Sequence, residues 1–229
     1  MSTLVVFARH PVVGAVKSRL AADIGAEAAR DLYEAWVIDL LDRTAGLADQ
    51  RVVAVTPDTG AAREFFQPRL RTRDELWSQP DGDLGDRLAA ACDHAGTFGG
   101  PVVVIGTDSP NLPLAMLSQA FDELAKVDVV LSPAADGGYV LVGLRRPAPS
   151  LFRDIPWSTS TVCEASIDRT RALGLRLGLL PDWYDVDSVP DLRRLWIDLQ
   201  GSAEAARPRR TWATLCELAS QDRLRHWFA

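Results

Sequence analysis

Apolar residues fall along this chain in two rhythms, and the alternation between them predicts the elements. Short unbroken apolar runs bounded by Gly, Pro, Asp or Asn read as strands buried on both faces. They occur at Thr3 to Ala8, Arg51 to Thr56, Val102 to Gly106, Val127 to Ser132, Tyr139 to Leu144 and Leu175 to Leu180. Between them lie stretches with helical spacing. The clearest runs from about Ala26 to Ala45, where Leu32, Tyr33, Trp36, Val37, Leu40 and Leu41 recur on one side. Further helices are expected from Gly60 to Phe66, from the Gly82–Gly85 loop to about Ala95, and from Pro113 to Lys126. Another follows Thr161, where Glu164 completes a capping-box pattern, and another runs from Ser188, paired with Asp191, to Leu199. Residues 201–210 read as a polar linker and Thr211 onward as a last helix. Arg9 to Leu20 reads as a loop, and Arg69 to Gln79 as a short strand or a loop.

Strands alternating with helices indicate an α/β fold with a mostly parallel sheet. Asp136-Gly-Gly-Tyr139 is a tight-turn signal and predicts one antiparallel pair near the end of the sheet. The length, 229 residues, suffices for one large domain or two small ones. No run approaches the roughly 18 apolar residues of a membrane span, and the amino terminus reads as a strand, so a cytoplasmic protein is expected.

Composition removes several function classes. A net charge of -6 argues against general affinity for nucleic acid, while leaving room for local basic clusters that bind the phosphates of a small ligand. Cys92, Cys163 and Cys216 are far apart and show neither CxxC nor zinc spacing. His10, His94 and His226 form no metal-binding doublet, and neither G-x-S-x-G nor a Cys–His pair is present. Lysine stands only at 17 and 126 in an otherwise arginine-supplied chain.

Three regions carry candidate chemistry. The loop after the first strand holds Arg9, Lys17 and Arg19 around Gly14. A loop leaving a strand for a helix offers backbone N–H groups to an anion, and nearby cations strengthen that, although a solvated basic loop is the plainer reading. Val16 stands where a Walker A loop needs Gly before its Lys, and no G-x-G-x-x-G occurs. The segment Gln79 to Arg87 enters a helix through Gly82, Asp83 and Gly85. Gln79 has the groups to bond a base edge, whereas Asp83 reads best as a helix cap. Asp108 stands just past the carboxyl end of the central strand, where open α/β sheets bind ligands. It either ties down its own loop or meets a cation. Asp185 and Asp187 alternate in an extended stretch, and Ser188 with Asp191 already caps the next helix, leaving Asp187 without a structural task. Asp108 and Asp187 suit Mg²⁺ or Mn²⁺ with substrate phosphates completing the shell. Asp136 is either a turn residue or a base for an acceptor hydroxyl. Trp157 reads as core, or as an aromatic bordering a cleft.

The ordered set Phe7-Ala-Arg-His-Pro, Gly14-Ala-Val-Lys17-Ser-Arg19-Leu, Gln79 with Gly82-Asp-Leu-Gly85-Asp-Arg87, Gly106-Thr-Asp108-Ser-Pro-Asn-Leu, Asp136-Gly-Gly-Tyr139, Trp157-Ser-Thr and Asp185-Val-Asp187 resembles the DUF2064 family over roughly residues 3 to 200. Members of that family have a GT-A fold and often carry the label glycosyltransferase, some with ties to arsenosugar biosynthesis. The Lys17-Ser-Arg19-Leu and Asp185-Val-Asp187 segments are also similar to guanylyltransferases acting on 2-phospholactate. The resemblance implies a three-layer α/β/α nucleotide-diphospho-sugar transferase domain over residues 1–200, with residues 201–229 a linker and a helix packed on the domain or on a homodimer partner.

It also implies that Arg9, Lys17 and Arg19 hold phosphates, that Gln79, Gly82, Asp83 and Arg87 line the base and ribose, and that Asp108 and Asp187 bind Mg²⁺ or Mn²⁺. GT-A glycosyltransferases commonly carry D-x-D, and Asp108-Ser-Pro110 departs from it. The expected function is metal-dependent glycosyl transfer from a nucleotide-diphospho-sugar to a small acceptor, with Asp136 as base. The alternative is nucleotidyl transfer with release of pyrophosphate. A third reading, from another class, is a catalytically silent nucleotide-binding protein.

Overall fold

The computed structural model describes residues 1–221. Among them the chain forms seven strands, β1 (Thr3–Arg9), β2 (Gln50–Thr56), β3 (Asp74–Ser78), β4 (Val102–Ile105), β5 (Val129–Pro133), β6 (Tyr139–Leu144) and β7 (Leu177–Leu179). Eight α-helices accompany them: α1 (Ser18–Ile24), α2 (Ala26–Thr44), α3 (Gly60–Phe66), α4 (Leu84–Gly96), α5 (Leu114–Leu124), α6 (Val162–Ala172), α7 (Val189–Gly201) and α8 (Arg209–Ser220). His226, and the end of the last predicted helix, lie outside the described residues. No helix among the described residues is long and apolar enough to cross a membrane.

The chain divides into two compact units. The first comprises Met1–Ala8, Ala45–Gly106 and Pro113–Tyr184 and carries the sheet, in the order β3-β2-β1-β4-β6-β5-β7. β1 runs parallel to β4, β2 to β3 and β5 to β7, while β6 is antiparallel to both β4 and β5. The fold is α/β with a mostly parallel sheet and the expected β5–β6 hairpin. Its turn needs glycine: Gly137 has φ 88°, and a Cβ there would lie 1.9 Å from the Ser160 carbonyl oxygen.

One face of the sheet presents Val5, Val52, Ala54, Val104, Leu131 and Val142 to the stripe Leu88, Ala91, Cys92 and Ala95 of α4. That stripe recurs at three- and four-residue spacing, as the sequence pattern requires. α5 packs on β4, β5 and β6, with Met116, Leu117, Ala120 and Leu124 buried. Trp157 is part-buried against this first core and meets Tyr139 edge-on at 6.4 Å. Cys92, Cys163 and Cys216 are free thiols.

The second unit comprises Arg9–Thr44, Thr107–Leu112 and Asp185–Ala229. α2 is its centre and packs against α1 and α8. Its buried residues run well beyond one stripe and include Tyr33, Trp36, Asp39 and Thr44. Asp39 replaces a missing cap: α8 begins after Pro208 with no side-chain cap of its own, and the Asp39 carboxylate accepts from the N–H groups of Arg210 at 3.1 Å and Thr211 at 2.7 Å.

Three local expectations are corrected. Residues 18–20, read as the end of a loop, already belong to α1 (Ser18–Ile24), which has no side-chain cap to announce it. Thr161 does precede α6, but it makes no cap bond, and its hydroxyl pairs instead with that of Thr159 at 3.0 Å. Pro113 stands one position before α5 rather than within its first turn. Residues 74–78 resolve as strand β3, in register with β2 from Arg51↔Asp74 to Val55↔Ser78.

Candidate active site

After β1 the chain turns through Val12 and Gly14 and enters α1 at Lys17. Lys17 takes φ 49°, ψ 48°, the left-handed region, which costs a non-glycine residue roughly 1–2 kcal/mol. Such a conformation persists where the surroundings over-determine it. Here the Lys17 side chain is 5% exposed, and its Nζ lies 2.5 Å from Asp108 Oδ1 and 2.8 Å from Asp187 Oδ1. The same nitrogen stands 5.2 Å from the centroid of the Trp36 ring. Burial alone would lower the ammonium pKa, but the Asp108 and Asp187 charges and their hydrogen bonds outweigh it, and the net shift is upward. Lys17 is therefore a permanent cation.

Its two acidic partners come from distant segments joined by their own backbone. The Val186 N–H donates to the Asp108 carbonyl at 2.9 Å, and the Ser109 hydroxyl donates to Asp185 Oδ1 at 2.6 Å. Arg43 donates to the carbonyls of Pro110 at 2.6 Å and Leu112 at 3.1 Å, fixing the far side of the same loop. Asp185 and Asp187 project from an extended stretch whose middle residue, Val186, is fully buried, the alternation expected of them. Ser188 caps α7 in a capping box with Asp191, and Asp191 also accepts the Asp187 N–H at 3.3 Å. The Asp187 carboxylate is thus held just before a helix while making no cap.

Tyr33 ties two of the loops together. Its hydroxyl accepts the Arg9 N–H at 3.0 Å and pairs with Thr107 Oγ1 at 2.8 Å. Burial, then the Asp108 charge, push its phenol up to about 12, so it stays protonated. Asp185 is pushed up to about 7, first by burial and then by Asp108.

Arg9, Lys17, Arg19, Tyr33, Asp108 and Asp187 line a cavity of about 310 Å³ within this unit. Three cations and two carboxylates converge on it, a setting for a polyanionic ligand with a cation. Arg19 reaches Asp187 Oδ2 only at 3.9 Å and is 82% exposed, leaving it free to turn to a phosphate. Among the described residues there is no cluster of three or more His, Cys, Asp or Glu groups able to hold a metal. Asp108 and Asp187 nonetheless fit a hard divalent cation. Each spends one oxygen on Lys17 and their side chains are 46% and 43% exposed, so a bound ion would take its remaining ligands from outside these two side chains, as Mg²⁺ commonly does with water.

Five of the ten residues singled out in the sequence, Arg9, Lys17, Arg19, Asp108 and Asp187, are brought together here. The other five belong to the first unit and have identifiable local bonds. Gln79 donates its N–H to the Val55 carbonyl at 3.0 Å and its Nε2–H to the Ala54 carbonyl at 2.7 Å. Asp83 caps α4 in a capping box with Asp86, and Arg87 Nε donates to the Gly82 carbonyl at 3.2 Å. Gly82 has φ 121°. Asp136 Oδ1 accepts the Gly138 N–H at 2.9 Å inside the hairpin turn. Sequence reasoning missed Tyr33, Thr107 and Ser109, and it assigned Asp185 no role. Tyr33 lies within an apolar stripe, and Thr107 and Ser109 flank Asp108 with no spacing signal of their own.

A family model described as "Uncharacterized protein conserved in bacteria (DUF2064)" matches residues 41–159. A candidate nucleotide-diphospho-sugar transferase of Desulfovibrio desulfuricans G20 has a crystal structure that superposes with a TM-score of 0.89 at 32% identity, over 99% of this chain and 97% of that one. The 2-phospho-L-lactate guanylyltransferase of Methanothermobacter thermautotrophicus strain Delta H is 25% identical over 212 residues, 91% of each chain. A nucleotidyl transferase structure from Methanothermobacter thermautotrophicus shares the fold at a TM-score of 0.56 and 18% identity, over 85% of this chain and 95% of that one. With its motifs in order and its sheet matching that of a nucleotide-diphospho-sugar transferase relative, this chain belongs to the DUF2064 family.

Proposed function

We propose that this protein is a nucleotidyltransferase that joins a nucleoside monophosphate unit to a small phosphorylated acceptor and releases pyrophosphate. The observation that carries this reading is the Lys17 ammonium held between Asp108 and Asp187 at the wall of a cavity lined by Arg9 and Arg19. A phosphate oxygen of the acceptor attacks the α-phosphorus of a nucleoside triphosphate. The bond from that phosphorus to its bridging oxygen breaks, and pyrophosphate leaves with the electron pair.

Both reactants are anions, so the barrier is dominated by bringing negative charge together, which preorganised cations relieve. Lys17 supplies a fixed charge that its neighbours keep protonated, and Arg9 and Arg19 bind the phosphate tail. Asp108 and Asp187 would hold Mg²⁺ or Mn²⁺, which neutralises phosphate charge and aligns the reacting groups. An acceptor phosphate is already ionised and needs no general base. The guanylyltransferase relative, matched along nearly the full length of both chains, supports the same chemistry.

Glycosyl transfer is the second reading, favoured by the description of the Desulfovibrio relative. It needs a base for the acceptor hydroxyl, and the candidate, Asp136, is engaged by the Gly138 N–H in its turn. The two reactions part on the leaving group. The deciding experiment incubates the protein with Mn²⁺, each nucleoside triphosphate and phosphorylated hydroxy acids such as phospholactate, with nucleotide sugars in parallel. Pyrophosphate is read by coupled hydrolysis and nucleoside diphosphate by chromatography. Pyrophosphate appearing in step with a new nucleotide adduct, and lost in Asp108→Asn, is the expected result. Nucleoside diphosphate released only from a nucleotide sugar would replace this reading with glycosyl transfer. Silence with every nucleotide, with no thermal stabilisation, would remove both.

A further inference from the structure

Asp108 and Asp187 are 43–46% exposed and come from separate segments, yet both Oδ1 atoms sit within 2.8 Å of one nitrogen. Lys17 does not by itself explain that placement, because a flexible ammonium follows its partners rather than setting their spacing. Two bonds do join the acidic segments directly. One is the Val186 N–H to the Asp108 carbonyl, at 2.9 Å; the other is the Ser109 hydroxyl to Asp185 Oδ1, at 2.6 Å. They bracket the metal-ligand candidates in sequence: Ser109 follows Asp108, and Asp185 precedes Asp187 by two. The Ser109 residue is 5% exposed, so its hydrogen bond is shielded from competing water.

We propose that Ser109 and Asp185 are positioning residues: their side-chain hydrogen bond, reinforced by the backbone bond from Val186 to Asp108, sets the separation of the Asp108 and Asp187 carboxylates and with it the affinity for a divalent cation. The inference rests on the reading of Asp108 and Asp187 as the metal-holding pair. Neither Ser109 nor Asp185 need touch the ion. Groups that orient the ligands of a metal typically contribute a factor of about 10–100 in its affinity. The Asp185 oxygen acts here through geometry, as an acceptor, rather than through its charge. An asparagine can accept the same bond and hold the same spacing.

Mn²⁺ binding to the full chain, followed by electron paramagnetic resonance with and without GTP, tests this without relying on turnover. Ser109→Ala and Asp185→Ala should each weaken Mn²⁺ about tenfold or more, while Asp185→Asn stays within about threefold of the wild type. Circular dichroism melts in parallel confirm that each variant is folded at the temperature of the titration. A purely structural role would lower the melting temperature of the alanine variants and leave the Mn²⁺ affinity of the folded protein unchanged, which overturns the proposal. Asp185→Asn as weak as Asp185→Ala would overturn it too, by showing that charge rather than position matters. Failure of the underlying reading looks different: the wild type itself would then bind no Mn²⁺ in either condition, and Asp108→Asn would change nothing.

Discussion

Replacing Lys17 separates three effects that the structure superimposes at one residue. Lys17→Met keeps a long apolar stem beside Trp36 and removes the charge, so Asp108 and Asp187 face each other without their shared cation. Deleting one partner of a buried ion pair costs roughly 3–5 kcal/mol. Both carboxylates are nearly half exposed and can turn to water, which reduces the expectation to about 2 kcal/mol, or a melting temperature about 4–8 °C lower. Lys17→Ala loses the stem contact as well and should be less stable still. Lys17→Gly loses one carbon more but relieves the left-handed backbone at φ 49°. It should therefore exceed Lys17→Ala by about 1 kcal/mol. Urea denaturation of the three variants reads these differences directly. If the proposed nucleotidyl transfer holds, all three should lose turnover by a factor of about 10²–10³, since a preorganised cation at the cavity wall is gone. Gly and Ala variants of equal stability would refute the strain argument. A Met variant that keeps more than a tenth of wild-type turnover would refute the central role of the ammonium.

Two further outcomes are expected. Asp185, faced by Ser109, Asp108, Lys17 and Asp187, has its carboxyl raised from 3.8 to about 7, so the folded protein holds a proton there that the unfolded chain releases. This group's contribution is full below pH 4 and is lost as the pH rises through 7; Asp185→Asn should be more stable than the wild type at pH 8, with the gain vanishing near pH 4, and a constant difference across urea melts at pH 4, 5.5, 7 and 8 would show that the carboxyl is not perturbed. In the first unit, Gly85→Ala would set a Cβ 2.7 Å from the Phe152 carbonyl oxygen and 2.4 Å from Trp157 Nε1. Backbone on one side and a part-buried indole on the other cannot both yield, so a loss of about 1–3 kcal/mol with a shift in tryptophan emission is expected, and an unchanged denaturation midpoint would refute it.

The legible parts of this molecule are those where one physical signal dominates. β4 and β6 announce themselves because strands buried on both faces have no polar positions, and the β5–β6 reversal because Gly137 must take a positive φ. Asp187 stood out by elimination, since Ser188 and Asp191 already formed the cap, and the structure gives it Lys17 instead. Lys17 is legible from its place in the basic loop between β1 and the next helix. What stayed hidden depends on partners distant in sequence. α1 lacks a cap signal because the lysine at its start has no acceptor to cap with, and its side chain pairs instead with carboxylates 91 and 170 positions away. β3 is read only once β2 lies beside it. Tyr33 and Ser109 look like ordinary core and loop residues until Thr107 and Asp185 arrive to bond them. Asp83 and Asp136 illustrate the reverse: their plain roles, helix cap and turn acceptor, were the ones local spacing already favoured.

The unit that carries Lys17, Asp108 and Asp187 is written in three separate passages of the chain, residues 9–44, 107–112 and 185 onward. It therefore cannot be cut out, duplicated or transplanted as one contiguous piece of gene. During synthesis Lys17 and Asp108 have both been made while Asp187 is still to come, and at ~5–20 residues per second that interval lasts several seconds. The cavity lined by all three residues cannot be complete before Asp187 is made. An exchange with a break between residues 112 and 185 would deliver Lys17 and Asp108 to a foreign second aspartate, so the three passages have to match one another for the pair of contacts on Lys17 to form.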